Sequence, residues 1–245
     1  MNKKTNSKIY FLTYGDDKFL KSRFRIIKEA ESLNIFDECI CYTRDNIEND
    51  LREVLKKNIE FKNVFNGKRG GGYFIWRPYI FYKILNLIND NDIIIYADAG
   101  CTINNDIEVI NNLKKYINIL INSKSGILGF RNPNIESIWT KSDIFNYFGV
   151  INNETITNTR QFCTNRMMIK KNENSLNIFY KYWDIALNNP NFFDDSESII
   201  PNFSNFIENR HCQSVLSSLY KLSFIEEDYD WEKINMTIQL TRIRE

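Results

Sequence analysis

The sequence predicts an α/β domain in which helices flank a largely parallel central sheet. Short segments rich in β-branched and aromatic residues alternate with longer segments whose apolar residues recur at helical spacing. One short segment, 93–97, is an unbroken apolar run, which is typical of a strand buried on both faces, as in parallel sheets. The chain of 245 residues is long enough for one sizeable core, and no linker or internal repeat divides it. We therefore expect one domain over 1–245.

The chain up to residue 57 alternates between the two patterns. An apolar run that ends at Gly15 predicts a first strand over 9–15, and a helical pattern follows over 17–33. A second strand is expected over 39–42, and a second helix over 47–57.

The alternation continues after a glycine-rich segment. Three glycines at 70–72 predict a flexible loop. Pro78 suits the first turn of a new helix, because its ring already fixes a helical φ. The apolar residues of this helix are Ile80, Ile84, Leu87 and Ile88. After the strand at 93–97, Asp106 opens another helix, and 126–130 forms a short strand. The apolar stripe of the helix after Asp106 is Ile107, Ile110, Leu113 and Ile117.

Beyond residue 131 the pattern is less regular. Helices are expected over 140–148, 175–187 and 209–222, and a strand is expected over 167–170. Asn209 is a candidate N-cap, because its side chain can accept from a free backbone N–H of the first helical turn.

Composition bounds the class of protein. The net charge of +1 gives no bulk attraction to nucleic acid or to acidic membranes. Five cysteines without a C-x-x-C pair favour neither a disulfide framework nor a zinc site. No apolar run approaches the ~20 residues of a membrane span, so we expect a cytoplasmic protein, with peripheral membrane contact left open. The basic residues within 67–70 are expected to lie in a solvated loop.

Three clusters are candidates for chemistry. Asp98 ends the buried strand and is followed by small residues, at the position where ligands bind in open α/β sheets. The alternative is that Asp98 caps the following turn or helix. The second cluster is 70–78 with Lys83, which joins glycines, aromatic residues and cations. The third is 209–213, which contains the only histidine.

Helical geometry separates the side chains of the third cluster. The apolar stripe of its helix is Val215, Leu216, Leu219 and Leu222. At about 100° per residue, Cys212 falls within this stripe and His211 at its edge, whereas Arg210 and Gln213 are free to face a cleft. Taken alone, His211 is also consistent with a structural histidine. The sequence contains no phosphate-binding glycine motif and no nucleophile elbow, so these familiar sites are not expected.

Four segments resemble elements of nucleotide-sugar-dependent glycosyltransferases of the GT-A type. Tyr-Ala-Asp-Ala-Gly at 96–100 resembles the D-x-D region, and Gly-Tyr-Phe-Ile-Trp-Arg-Pro-Tyr at 72–79 resembles a G-Y-W-x-W-[KR]-P-Y element. Trp-Thr-Lys-Ser-Asp-Ile-Phe at 139–145 is similar to T-K-x-D-[LI]-F, and Asn-Arg-His-Cys-Gln-Ser at 209–214 is similar to R-H-D-Q-S. The matches follow one another in the expected order from residue 72 to residue 214.

The resemblance implies a GT-A-like, Rossmann-like fold and transfer of a hexose from a nucleoside diphosphate sugar to a glycan or another hydroxyl acceptor, with retention at the anomeric carbon. It implies a nucleotide-sugar-binding half over 1–130, an acceptor and catalytic half over 131–245, and a divalent cation, Mn²⁺ or Mg²⁺. Arg77 or Lys83 would supplement or replace that cation. The implied catalytic residues are Asp98, Asp143 and Gln213. The implied donor-binding residues are Thr13, Tyr14, Arg77, Lys83, Asp98 and Gly100. The implied metal ligands are Asp98 and His211.

Two departures from the family pattern leave alternatives open. Gly100 stands in place of the second D-x-D acid, and Cys212 stands where the similar sequences have Asp. A transferase fold that binds a nucleotide sugar or glycan without turnover is therefore one alternative, and a nucleotidyltransferase is another. An inverting reaction is a third, and it would use Asp143 as the general base.

Overall fold

The elements of the fold follow the alternation in the sequence. The structure, a computed structural model, describes residues 7–223 and 227–243. Its strands are β1 (Ile9–Tyr14), β2 (Glu38–Tyr42), β3 (Ile93–Ala97), β4 (Ile127–Ile135), β5 (Arg160–Phe162), β6 (Arg166–Lys170) and β7 (Glu227–Asp230). Its helices are α1 (Leu20–Ser32), α2 (Arg44–Asp50), α3 (Arg52–Lys57), α4 (Ile59–Phe65), α5 (Gly70–Tyr73), α6 (Trp76–Leu87), α7 (Ile107–Asn122), α8 (Glu136–Trp139), α9 (Ser142–Tyr147), α10 (Glu154–Thr157), α11 (Glu173–Asn188), α12 (Cys212–Lys221) and α13 (Trp231–Asn235).

The strands form one mixed sheet in the order β2-β1-β3-β6-β4-β5, with β7 paired to β4. The pairings of β1 with β2 and β3, and of β4 with β7, are parallel, whereas β6 pairs antiparallel with β3 and β4. The α/β class with a helix-flanked central sheet is confirmed. Because β1 and β3 are parallel neighbours, their carboxyl ends meet at one edge of the sheet, and the start of β6 reaches the same edge.

Helices cover both faces of the sheet, and each face has its own core. The alternation of side chains along β3 divides the run at 93–97 between them: Ile94 and Tyr96 pack with α6, α11 and α12, and Ile93 and Ile95 pack with α1 and α7. All five residues of β3 are buried, as the unbroken apolar run predicts.

Several expected elements differ in detail. The helix expected over 47–57 is two helices that meet at Leu51. Ile107 was expected in the apolar stripe of α7, but it is 72% exposed because Val109 takes the inward position in the first turn. Asn209 is not an N-cap: α12 begins at Cys212, and the buried Asn209 amide donates to the carbonyl of Phe192.

Candidate active site

A cleft of about 670 Å³ opens at the carboxyl ends of β1 and β3. Its walls come from the turns after these strands, the glycine segment before α6, the start of α12, the β5–β6 turn and the segment after α13. Both halves of the chain, 1–130 and 131–245, therefore line the same cleft. This is the location that the strand-end rule predicts for a ligand.

The side chain of Arg77 contacts three parts of the cleft wall: the end of β3, the β5–β6 turn and the start of α12. Its guanidinium group donates to Asp98 Oδ1 at 2.6 Å and to the Tyr96 hydroxyl at 3.2 Å. Those two hydrogen bonds come from Nη2 of Arg77. The other terminal nitrogen, Nη1, donates to Thr164 Oγ1 at 3.0 Å and to Cys212 Sγ at 2.9 Å. Burial acts to lower the pKa of Arg77, but the adjacent Asp98 carboxylate, together with Cys212, Tyr96 and Tyr182, raises that pKa above its usual value.

Among the described residues, only one oxygen of the Asp98 carboxylate, Oδ1, accepts side-chain hydrogen bonds. Besides Arg77, the Tyr96 hydroxyl donates to Asp98 Oδ1 at 2.5 Å, while the Asp98 backbone N–H donates to the carbonyl of Asn165. The Asp98 side chain is 30% exposed. Asp98 therefore lies at the cleft as a fixed, charge-paired group and does not act as a cap for the following helix, whose N-cap is Asp106.

One wall of the cleft is aromatic. Tyr14, at the end of β1, stacks on Trp76 with ring centroids 3.7 Å apart. The indole N–H of Trp76 donates to the carbonyl of Gly70 at 3.0 Å. Burial raises the pKa of Tyr14, and its buried hydroxyl has no hydrogen-bond partner among the described residues.

The glycine segment needs glycine at one position for a steric reason. Gly72 has a φ of 101°, and a Cβ there would lie 2.1 Å from the carbonyl oxygen of Phe65. Arg44 braces the segment by donating to the carbonyls of Phe65 and Gly71. The glycines at 70–72, which lie in the single turn α5, therefore do not form a flexible loop. They form a fixed turn that holds Arg69 and Trp76 at the cleft.

The cleft carries an excess of positive charge. Among the described residues that line it, six are lysine or arginine and two are aspartate. Arg210 pairs with Glu208 at 3.0 Å and lies 4.0 Å over the Trp139 ring. Burial lowers the pKa of Arg210, and the nearby Arg69 and Arg242 lower it further. Such mutual repulsion is relieved when an anion binds between the guanidinium groups.

His211 is buried beside the cleft and is paired. Its Nε2 lies 2.8 Å from Asp195 Oδ1, and its ring packs near Tyr73 and Phe74. Burial lowers the pKa of His211 in spite of the opposing effect of Asp195. Its backbone has a φ of 54°, which is unusual for a residue with a side chain and lets the chain turn into α12.

The side chains at the cleft do not fit a divalent cation held by Asp98 and His211. Asp98 Oδ1 already binds Arg77 and Tyr96, and His211 Nε2 already binds Asp195. In the described part of the chain, no group of three His, Cys, Asp or Glu side chains is arranged to hold a metal.

The structure brings together most of the expected site residues but leaves three outside. The cleft is lined by Tyr14, Arg77, Asp98, Gly100, His211 and Gln213. The hydroxyl of Thr13 is buried and donates to the carbonyl of Ala97. Lys83 pairs with Asp50 away from the cleft. Asp143 accepts from the backbone N–H groups of Ile199 and Ile200 at 2.9 and 2.8 Å, so it anchors a loop.

Other residues of the cleft were not expected from the sequence. Arg69 was assigned to a solvated loop, yet it lines the cleft and binds Glu208 and Asp195. Asn165 and Arg242 also line the cleft, although they lie in segments without a recognisable motif. The only sequence signal among them is the run of basic residues at 67–70 beside the glycines.

Comparisons with known proteins show no family for this chain. No protein-family model matches the sequence, and no curated protein matches it. The chain is similar to the apo form of the glycosyltransferase GlyE of Streptococcus pneumoniae TIGR4, with 14% identity and a TM-score of 0.44, over 91% of this chain and 45% of that one. It is also similar to apo mouse xyloside xylosyltransferase 1, with 10% identity and a TM-score of 0.46, over 91% of this chain and 84% of that one. The chain spans less than half of the length of GlyE.

Every helix among residues 7–223 and 227–243 is too short or too polar to cross a bilayer.

Proposed function

We propose that the protein is a glycosyltransferase that moves a hexose from a nucleoside diphosphate sugar to a hydroxyl group of a glycan or another acceptor. One observation carries the proposal. Three segments that resemble GT-A elements, 72–79, 96–100 and 209–214, meet around the guanidinium group of Arg77 in the wall of one basic cleft. Binding of one ligand by all three segments would explain why parts of the chain so distant in sequence lie together.

The charges of the cleft suit the diphosphate of such a donor. When the bond between the anomeric carbon and the phosphate oxygen breaks, negative charge develops on the departing diphosphate. Arg69, Arg210 and Arg242 line the cleft and would stabilise that charge, Arg69 and Arg210 by turning from their pairs with Glu208. Arg77 contributes less, because Asp98 already neutralises it.

The aromatic wall suits the nucleobase. Tyr14 and Trp76 form a stacked pair at the edge of the cleft, and a base has both an apolar face and polar edges. The unpartnered hydroxyl of Tyr14 is buried at this edge, so a small movement of the wall would bring it to the base or the ribose. The nucleoside would therefore lie against β1, with its phosphates pointing toward α12.

The proposed reaction proceeds with retention. The acceptor oxygen bonds to the anomeric carbon on the face from which the phosphate departs, and the acceptor proton passes to the released phosphate oxygen. An inverting reaction needs a free carboxylate opposite the leaving group. The candidate for that role, Asp143, lies outside the cleft and is saturated by two backbone N–H groups. This arrangement favours retention.

The test is incubation of the full chain with a panel of UDP- and GDP-sugars and saccharide acceptors. Release of nucleoside diphosphate with a new glycoside of unchanged anomeric configuration, seen by proton NMR, is the expected result. Binding without release would favour a binding module, and pyrophosphate release from a nucleoside triphosphate would identify a nucleotidyltransferase.

Two matched variants separate the cleft from the surface. Arg210→Met keeps an apolar stem over the Trp139 ring but removes the charge, so turnover should fall. Arg52→Met removes a charge from α3, outside the cleft lining, and should leave turnover unchanged. Equal effects of the two substitutions would contradict the proposed phosphate site.

A further inference from the structure

The side-chain amide of Gln213 is held in one orientation. Gln213 lies in the first turn of α12 and lines the cleft. Its Nε2 donates to Oε1 of Gln161 at 2.7 Å. Its own carbonyl oxygen, Oε1, has no hydrogen-bond partner among the described residues. A glutamine that turns its NH₂ group to the protein presents its carbonyl oxygen to the cleft.

Gln161 cannot reverse this arrangement, because its surroundings fix its own amide. The Nε2 of Gln161 donates to Glu136 Oε2 at 3.1 Å, to the carbonyl of Trp139 at 3.2 Å and to Thr140 Oγ1 at 2.8 Å. A carboxylate and a backbone carbonyl only accept hydrogen bonds. The NH₂ group of Gln161 must therefore face them, and its carbonyl oxygen must face Gln213.

Glu136 anchors the chain of hydrogen bonds. Its side chain is fully buried and pairs with the ammonium group of Lys221 at 2.9 Å. The Ser217 hydroxyl donates to the same carboxylate oxygen, and Thr140 Oγ1 donates to the other oxygen at 2.6 Å. Its donors come from α12, from β5 and from the turn after α8, so this buried carboxylate is a fixed acceptor. It sets the direction of each hydrogen bond between itself and the cleft.

We propose that Gln161 and Glu136 are positioning residues that hold the carbonyl oxygen of Gln213 toward the bound sugar. The assignment to the sugar rests on the proposed glycosyltransferase function. A carbonyl oxygen carries partial negative charge, so it stabilises positive charge on the anomeric carbon in the transition state and accepts from a sugar hydroxyl. It repels phosphate oxygens, so the hexose lies at Gln213 and the diphosphate lies at the arginines.

Three variants test the positioning role by kinetics. Gln161→Leu removes the acceptor for Gln213, and the freed amide can rotate, so kcat should fall about tenfold or more while the KM of the donor stays within about twofold. Gln161→Glu keeps an acceptor toward Gln213 and can share a proton with Glu136, so it should restore most of the lost kcat. Ser217→Ala removes one hydrogen bond from the far oxygen of Glu136 and the acceptor of the Phe162 backbone N–H, so it should lower stability without changing kcat.

An NMR measurement on the unmodified chain tests the orientation even if no transfer activity exists. The side-chain amide signals of Gln213, assigned by their loss in Gln213→Glu, should include one hydrogen protected from exchange by Gln161. Two rapidly exchanging hydrogens would place the NH₂ group in the cleft and overturn the proposal. Equal kcat losses in Gln161→Leu and Ser217→Ala would overturn it as well. Protected hydrogens in a chain that releases no nucleotide would instead contradict the proposed function alone.

Discussion

The guanidinium group of Arg77 lies 2.6 Å from the carboxylate of Asp98, and the two charges neutralise each other in the wall of the cleft. Arg77 is 3% exposed and Asp98 is 30% exposed, so one partner is inside the protein and the other is at its edge. The acid at the end of β3 therefore serves the first turn of α6 as well as any ligand. We therefore expect its removal to affect both the fold and the proposed activity.

Asp98→Ala should destabilise the fold as well as reduce turnover. It leaves the buried Arg77 without its counter-charge, and breaking a buried pair typically costs about 3–5 kcal/mol. Because Asp98 is partly exposed, we expect about 3 kcal/mol, at the lower end of that range. Denaturant unfolding measures it. Asp50→Ala breaks the pair with Lys83, in which both side chains are partly exposed, so it should cost about 1 kcal/mol or less. Equal losses would contradict the role of Arg77.

Cys212→Asp should be tolerated, unlike the same change at another buried cysteine. The Cys212 sulfur lies 2.9 Å from a guanidinium nitrogen of Arg77, so a carboxylate there would meet a positive charge. Cys101 is also buried, but burial and the nearby Asp98 raise the pKa of its thiol to about 12. We expect Cys101→Asp to lower the melting temperature far more than Cys212→Asp does. Similar losses would show that Arg77 cannot accept a second carboxylate.

The sequence predicts those site residues whose neighbours along the chain form a local pattern. Asp98 follows an apolar run and Arg77 precedes a proline at the start of a helix, so both positions are specified within about ten residues. Helical periodicity likewise placed Gln213 toward the cleft and Cys212 toward the core. Local pattern therefore predicted five of the seven described strands, the main helices and the centre of the site, but not β5 or β7.

The remaining site residues depend on contacts between distant segments. Asp143 lies in a segment that resembles the family, yet its carboxylate is used by the loop that contains Ile199 and Ile200, 56 and 57 residues later. Asp195 reaches His211 across 16 residues of irregular chain. Sequence periodicity cannot predict such pairings, because each one depends on how distant loops pack against each other in the folded chain.

Because the chain has a single histidine, a pH dependence of stability near neutral pH can be assigned to His211. Burial lowers the pKa of His211 below its unfolded value of about 6.5, so the unfolded chain binds its proton first as the pH falls. The free energy of unfolding should therefore decrease from about pH 7.5 to pH 5.5 and be flat above that window. His211→Gln should remove this slope, as measured by denaturant unfolding at several pH values. A slope that persists in the variant would assign it to another group.

Chelation should leave binding of the donor phosphates unchanged. Asp98 and His211 are already paired with Arg77 and Asp195, so the expected positive charge comes from guanidinium groups. Calorimetry with UDP and with inorganic pyrophosphate, in EDTA and in Mn²⁺, measures this directly. Affinity should be equal in both buffers and should fall in Arg210→Met. Binding that requires Mn²⁺ would show that the cleft rearranges to hold a metal.

Tyr14→Phe should weaken ligand binding without weakening the fold. The Tyr14 hydroxyl is buried and has no partner among the described residues. Without a ligand, its desolvation therefore lowers the free energy of unfolding and no hydrogen bond compensates for it. Deleting the oxygen should leave the free energy of unfolding unchanged or raise it by up to about 1 kcal/mol, while the ring still stacks on Trp76. Affinity for UDP should fall about fivefold or more, because the hydroxyl gains a partner only when the nucleotide is bound.

Tyr10→Phe, on the same strand but outside the cleft lining, is the matched control and should leave affinity unchanged. A marked loss of stability in Tyr14→Phe, with affinity intact, would mean that the hydroxyl already serves the fold and not the ligand.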